Sequence, residues 1–149
     1  MAFQYKIDSV AKLLAQINEL KKKEDIIQAL RINGHHTVKS ILKGIYDPNI
    51  KFILPEGKPP FKPNKFDEPK ALLQEAHKFY LFVEGGNPNI KPVRREQLFI
   101  QMLEVVNADD AELLISMKDK KCPYKNITKA VVKEAFPGLI PDDKVSQVS

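Results

Sequence analysis

The chain has 149 residues, 43% of them hydrophobic and 29% charged, with a formal net charge of +5 and a pI near 9.2. That length suits one domain with its own core, the composition is ordinary for a globular protein, and no apolar stretch approaches the roughly 20 residues that span a bilayer. Met1 to Lys6 has a single Lys and no apolar h-region of a secretory signal, and the lone Cys122 excludes an internal disulfide and suits a reducing compartment, so a cytoplasmic protein with no membrane partner is expected. The positive charge permits nucleic-acid binding without establishing it; the placement of the lysines decides.

In chain order, Ile7, Val10, Leu13, Leu14, Ile17 and Leu20 recur at helical spacing, with Asp8 and Ser9 as candidate caps. A second helix is predicted from Lys23 to about Ile32, with Ile26, Ile27 and Leu30 inward. Asn33-Gly34 reads as its stop, because both residues tolerate the left-handed backbone of a C-cap. A third helix follows from about His36 to Tyr46, with Val38, Ile41, Leu42 and Ile45 on one face.

Asp47 to Pro69 differs in kind. Six prolines and Gly57 deny it a continuous helix, yet it carries Ile50, Phe52, Ile53, Leu54, Phe61 and Phe66. It reads as an extended connection pinned to a helical core by those side chains. Helicity resumes with Asp67 as N-cap and Pro69 in the first turn, burying Leu72, Leu73, Ala76, Phe79, Tyr80 and Val83 and stopping at Gly85-Gly86-Asn87-Pro88. Further helices are predicted from about Val93 to Val106, from a cap at Asn107, and from Asn126 to near Ala135, before a polar tail beyond Pro141. The prediction is one all-α domain: N-terminal helices over 1–46, a Pro-rich connection over 47–69, C-terminal helices with a basic turn over 70–141, and a tail over 142–149.

Catalytic groups are sparse. Gly85-Gly86 lacks the spacing and the following Lys-Ser/Thr of a phosphate loop. His35 and His36 are adjacent, and neighbouring helical residues face different ways; with His77 and Cys122 distant, no metal or other cofactor is expected. Asp109, Asp110 and Glu112 fall in a helix's first turn, where the helix dipole accounts for them. No Lys-X-Asp-Gly motif is present, Lys118-Asp119-Lys120 being the nearest approach, so the chain is not expected to adenylate itself and reads as non-enzymatic. Cys122, flanked by lysines but lacking a histidine partner, reads as a turn residue rather than a nucleophile.

The basic turn is the candidate site. Lys118, Lys120, Lys121 and Lys125 precede or open the last helix, and Lys129 and Lys133 continue it at four-residue spacing, so that Lys125, Lys129 and Lys133 form a stripe. A helix start at Asn126 leaves backbone N–H groups free beside these lysines, a cradle for phosphate. The competing reading is a surface helix whose lysines serve solubility alone.

The stretch Leu113 to Pro141 runs from an apolar helix through the basic turn to a helix that closes on Phe136-Pro137-Gly138-Leu139-Ile140-Pro141. It resembles the closing segment of the N-terminal DNA-binding domain of ATP-dependent DNA ligases, above all the bacteriophage enzymes. Ser40 to Phe52, an apolar helix running into Tyr46-Asp47-Pro48 and an extended stretch, is similar to an earlier part of that domain. Arg94 to Leu98, Asp109 to Met117 and Lys118 to Lys121 follow in the family's order, so the resemblance spans about Ser40 to Pro141.

The resemblance implies a helical domain that grips double-stranded DNA, intact or nicked, through backbone contacts mostly across the minor groove and without reading sequence. By position, Lys118, Lys120, Lys121 and Lys125 would face phosphates, helped by Asn126 and Thr128, with Lys43 and Lys51 in a second strip. The chain stops where the ligases continue into a nucleotidyltransferase domain, which implies a free-standing, phage-encoded counterpart. Where ligases commonly have arginine and glycine in the turn, this chain has Lys120-Lys121-Cys122-Pro123, which keeps charge but loses the bidentate fork and stiffens the backbone. Two other readings stay open. One is a phage structural or protein-interaction component, in the host cytoplasm or the virion, with Asp47 to Pro69 facing a protein partner. The other is an accessory subunit completing a split ligase.

Overall fold

A computed structural model of the chain describes residues 9–141. They form α1 (Val10–Asn18), α2 (Lys23–Asn33), α3 (His36–Tyr46), α4 (Ala71–Glu75), a 3₁₀ helix (Ala76–Phe82), α5 (Pro92–Val105), α6 (Ala108–Lys118) and α7 (Lys129–Ala135). The all-α class read from the sequence is the one observed. Among the described residues there is no strand, only an isolated antiparallel bridge between Phe52 and Val83, and no helix long and apolar enough to cross a membrane.

α6 organises the packing. Ala111, Leu113, Leu114, Ile115 and Met117 are all buried, and a helix apolar on nearly every side needs partners all round. α1, α3 and α5 supply them, while α7 lies on α2. α3 approaches α6 closely at Gly44, where a Cβ would stand 2.9 Å from Met117 Sδ. Leu14, Leu30, Ile41, Leu42, Leu72, Leu103, Leu114 and Ile127 lose all solvent contact, each large aliphatic side chain contributing about 1.5–3 kcal/mol.

Several local expectations change on folding. Ile7 and Asp8 lie outside the described residues, but Ser9 does cap α1, its Oγ accepting from the Lys12 amide at 3.2 Å. Gly34 ends α2 at φ −82°, not in the left-handed region. It is glycine because of what it touches: a Cβ there would lie 2.5 Å from the Phe136 ring and 2.7 Å from the Leu30 carbonyl.

The single helix expected after Asp67 is two elements. Asp67 is not its cap but accepts from Asn107 Nδ2 at 2.9 Å, and α4 begins at Ala71. The chain then tightens to three residues per turn for seven residues, which rotates the inward face. Phe82 becomes buried, edge-on to Phe99 with ring centroids 5.3 Å apart, whereas Leu73 and Tyr80, expected inside, are 39% and 51% exposed.

The Pro-rich arm between α3 and α4 is extended, as expected. Ile50, Phe52, Leu54 and Phe61 are half-buried, but Ile53 and Phe66 are 42% and 75% exposed and pin nothing. The arm's backbone is tied down at intervals: Ile53 N–H donates to the Phe82 carbonyl at 2.9 Å, Glu84 N–H to Lys51 at 2.8 Å, and Asn64 Nδ2 to Val105 at 2.9 Å.

The acidic start of α6 does more than complement its own dipole. Asp109 accepts from Ser9 Oγ at 3.0 Å, and Asp110 accepts from the Ala11 amide at 2.8 Å, so both carboxylates also serve the first turn of α1. Asp110 has no solvent contact, and its Oδ2 has no hydrogen-bond partner among the described residues. Burial raises its pKa, the Ala11 amide opposes, the Asp109 charge adds, and the carboxyl reaches about 7. The folded state therefore holds a proton that an unfolded chain, with its ordinary value of 3.8, releases, so this site's stabilisation is full below about pH 4 and lost as pH rises through 7. Asp110→Asn keeps an acceptor for Ala11 and stays neutral at every pH. Measured by urea unfolding, native stability should fall relative to that variant by roughly 2 kcal/mol between pH 5 and pH 8. The oppositely directed His35 titration, lowered by burial and by His36, is common to both proteins and cancels.

Candidate nucleic-acid interface

The basic turn follows α6 through a left-handed residue. Lys120 has φ +61°. Its amide donates to Met117 O at 3.0 Å and that of Lys121 to Ser116 O at 2.8 Å, the paired bonds that close a helix when the residue after the C-cap turns left-handed. Glycine usually fills that position, and a lysine there costs about 1 kcal/mol of backbone strain.

The side chain explains the choice. Lys120 Nζ donates to the carbonyls of Gly44 at 2.6 Å, Asp47 at 2.7 Å and Ile50 at 2.8 Å. It thereby closes the C-terminal end of α3, whose last carbonyls have no helical partner, and the first turn of the arm. Burial pulls the Lys120 pKa below its ordinary value, and the Asp47 charge opposes.

Two other candidate lysines act similarly. Lys118, its side chain 2% exposed, donates to the carbonyls of Pro55 at 2.9 Å and Gly57 at 2.8 Å and to Asp119 Oδ1 at 2.6 Å. Lys43 pairs with Asp47 Oδ2 at 2.8 Å and donates to the Leu139 carbonyl at 2.8 Å, joining α3 to the Phe-Pro-Gly-Leu-Ile-Pro close. Burial works to raise the Asp47 pKa, but the Lys43 hydrogen bond, the Asn49 amide and the charges of Lys43 and Lys120 outweigh it, so the carboxyl sits below its ordinary value. Of the lysines expected to face phosphates, Lys118 is buried and Lys120 half-buried on backbone carbonyls, while Lys43, 39% exposed, commits its ammonium to Asp47 and the Leu139 carbonyl.

The helix start also differs. α7 begins at Lys129, three residues later than expected, with Thr128 Oγ1 accepting from the Val131 amide at 3.2 Å. Thr128 is a cap. The Asn126 amide, expected to be free for phosphate, donates to Asn18 Oδ1 at 2.7 Å, and Asn126 Nδ2 donates to the Asn18 carbonyl at 2.8 Å. Lys125 precedes the helix, so no stripe with Lys129 and Lys133 forms by helical spacing; those two lie half-buried on α7. The turn is further held from within: Tyr46 Oη donates to Ile127 O at 2.5 Å, Tyr124 Oη to Ala11 O at 3.2 Å, and the half-buried Cys122 thiol lies 3.5 Å from the carbonyls of Tyr124 and Ile127.

Lys121 and Lys125 remain exposed on this turn, and Lys51 on the arm. The asparagine clasp adds what the sequence reading missed. By fastening Asn126 to Asn18, it sets Lys125 beside the α1–α2 turn, which carries the exposed Lys21, Lys22 and Lys23. Lys23 pairs with Glu134 at 3.4 Å, leaving Lys21 and Lys22 facing solvent. The run of three lysines is visible in the sequence, but nothing local connects it to a turn a hundred residues later.

The sequence model of a family of unknown function, DUF6433, matches residues 13–123. The chain belongs to this family. The matched stretch takes in most of α1, all of α2 to α6 and the turn as far as Pro123; α7 lies beyond it. No curated protein matches the chain.

Lys120 carries a stability test. Lys120→Met keeps the strained backbone and leaves three carbonyls without their donor, so unfolding free energy should drop by about 3 kcal/mol. Lys120→Gly loses the same bonds but relieves the left-handed strain, and should be the more stable of the two by about 1 kcal/mol in urea titrations. Equal losses would show that the backbone at 120 carries no strain.

Proposed function

We propose that this protein is a non-catalytic, sequence-independent binder of duplex DNA that holds the phosphate backbone with exposed lysines of two adjoining turns. The observation that carries this reading is the Asn18–Asn126 clasp, which fastens the basic turn, with Lys121 and Lys125 exposed, to the end of α1, just before the exposed Lys21 and Lys22. Ammoniums in water are what an electrostatic grip on phosphate needs, since affinity comes from releasing the counterions condensed on DNA. The resemblance of Leu113 to Pro141 to the close of the ligase DNA-binding domain supports the same partner. These exposed lysines take the place of the expected Lys118, Lys120 and Lys43, whose ammoniums are committed to carbonyls and carboxylates of the protein, and Lys51 remains as a separate contact on the arm.

The test is fluorescence anisotropy of intact and nicked duplexes at two salt concentrations. With about three phosphates neutralised, log K against log[salt] should have a slope of roughly −2.7, at about −0.9 per phosphate. Lys22→Glu/Lys121→Glu/Lys125→Glu, which spares the internal lysines, should weaken binding by at least about tenfold at low salt with the helical circular dichroism intact. Absence of low-salt binding by the unaltered protein, or binding indifferent to the triple reversal, would remove the DNA reading.

A further inference from the structure

The Pro-rich arm and α5 enclose a cavity of about 320 Å³ that the DNA reading leaves unused. Leu54 on the arm and Phe99 and Ile100 on α5 line it with apolar surface. Its polar character is one-sided. Lys118 Nζ, in the wall, is taken by Pro55 O, Gly57 O and Asp119. Lys58 pairs with Glu112 Oε2 at 2.8 Å and lies 5.7 Å over the Phe61 ring. Glu56 and Glu96 also line the cavity, both exposed, and neither belongs to an ion pair among the described residues.

These facts narrow the occupant. A phosphate or nucleotide would meet two unneutralised carboxylates and no uncommitted ammonium. The volume lies at the small end of the range for cofactor and small-molecule sites, and suits a single long side chain. An added peptide strand has little to pair with, because Pro55, Pro59 and Pro60 have no N–H and the Pro55 and Gly57 carbonyls already accept from Lys118. An apolar floor with two free carboxylates is complementary to a hydrocarbon stem that ends in a cation. Arginine fits better than lysine, since its guanidinium is less strongly hydrated and its fork matches carboxylates.

We propose that this cavity receives an arginine side chain from a segment of a protein partner, its stem on Leu54, Phe99 and Ile100 and its guanidinium against Glu56 and Glu96. The inference stands apart from the DNA reading and uses none of its lysines.

A random peptide library displayed on yeast is selected against the full-length protein, and an enriched peptide is then titrated by fluorescence anisotropy. Arginine should be enriched at one position, and citrulline there, which keeps the shape without the charge, should weaken binding by at least about tenfold. Glu56→Gln/Glu96→Gln in the protein should cost a similar factor, while Glu24→Gln/Asp25→Asn, which removes two exposed acidic charges on α2, should leave affinity unchanged. Enrichment without a basic residue, no enrichment at all, or equal losses from the two neutralised pairs would overturn the assignment, the last by showing only general attraction to an acidic surface.

Discussion

The ammonium of Lys120 on the carbonyls of Gly44, Asp47 and Ile50 is the contact on which the rest of the fold turns. Three pieces of chain meet there: the end of α6, the end of α3 and the first residues of the arm. Each arrives with backbone groups that its own element cannot satisfy. The arm is poor in donors because of its prolines, so it must be held by groups from elsewhere, and the end of α6 supplies them through Lys120 and, one step along, through Lys118 to Pro55 and Gly57. A left-handed lysine in place of the usual glycine is what aims that ammonium back at α3.

This arrangement changes what the lysine content means. A lysine that donates to several carbonyls in a half-buried site holds the fold together and offers little to a phosphate, because breaking those bonds costs more than an exposed contact returns. Lys43 with Asp47 and Lys118 with Asp119 follow the same logic. The two turns keep exposed ammoniums of their own, Lys21 and Lys22 on one and Lys121 and Lys125 on the other, and the Asn18–Asn126 clasp, not helical periodicity, joins the turns. The basic turn is thus a fastener on one side and a cationic surface on the other. The arm is likewise two-sided: Phe52 and Leu54 anchor it, while its far stretch roofs an acidic, apolar-floored cavity over α5.

Much of the helical framework was legible because its signal is local. α2, α3 and α5 fall within about a residue of the predicted bounds and α6 starts directly after Asn107 as predicted, since apolar residues three and four apart must share a face wherever the helix docks. The failures share a cause. The 3₁₀ helix at Ala76–Phe82 departs from the 3.6-residue period, which moves Phe82 inward and Tyr80 outward. The late start of α7 follows from Asn126 being held by Asn18 across 108 residues. Gly34, a C-cap glycine by its sequence position, is demanded by the nearness of Phe136 and not by a left-handed backbone.

The amino-acid sequence by itself determined the helical class, the donor-poor arm and the presence of a basic turn after an apolar helix, all consequences of short-range spacing and of proline chemistry. Only the tertiary structure decided which ammoniums of that turn face solvent. A lysine stem is long and flexible enough to point either way, and the carbonyls that capture Lys118 and Lys120 lie 61 to 76 residues earlier in the chain, where no local pattern announces them.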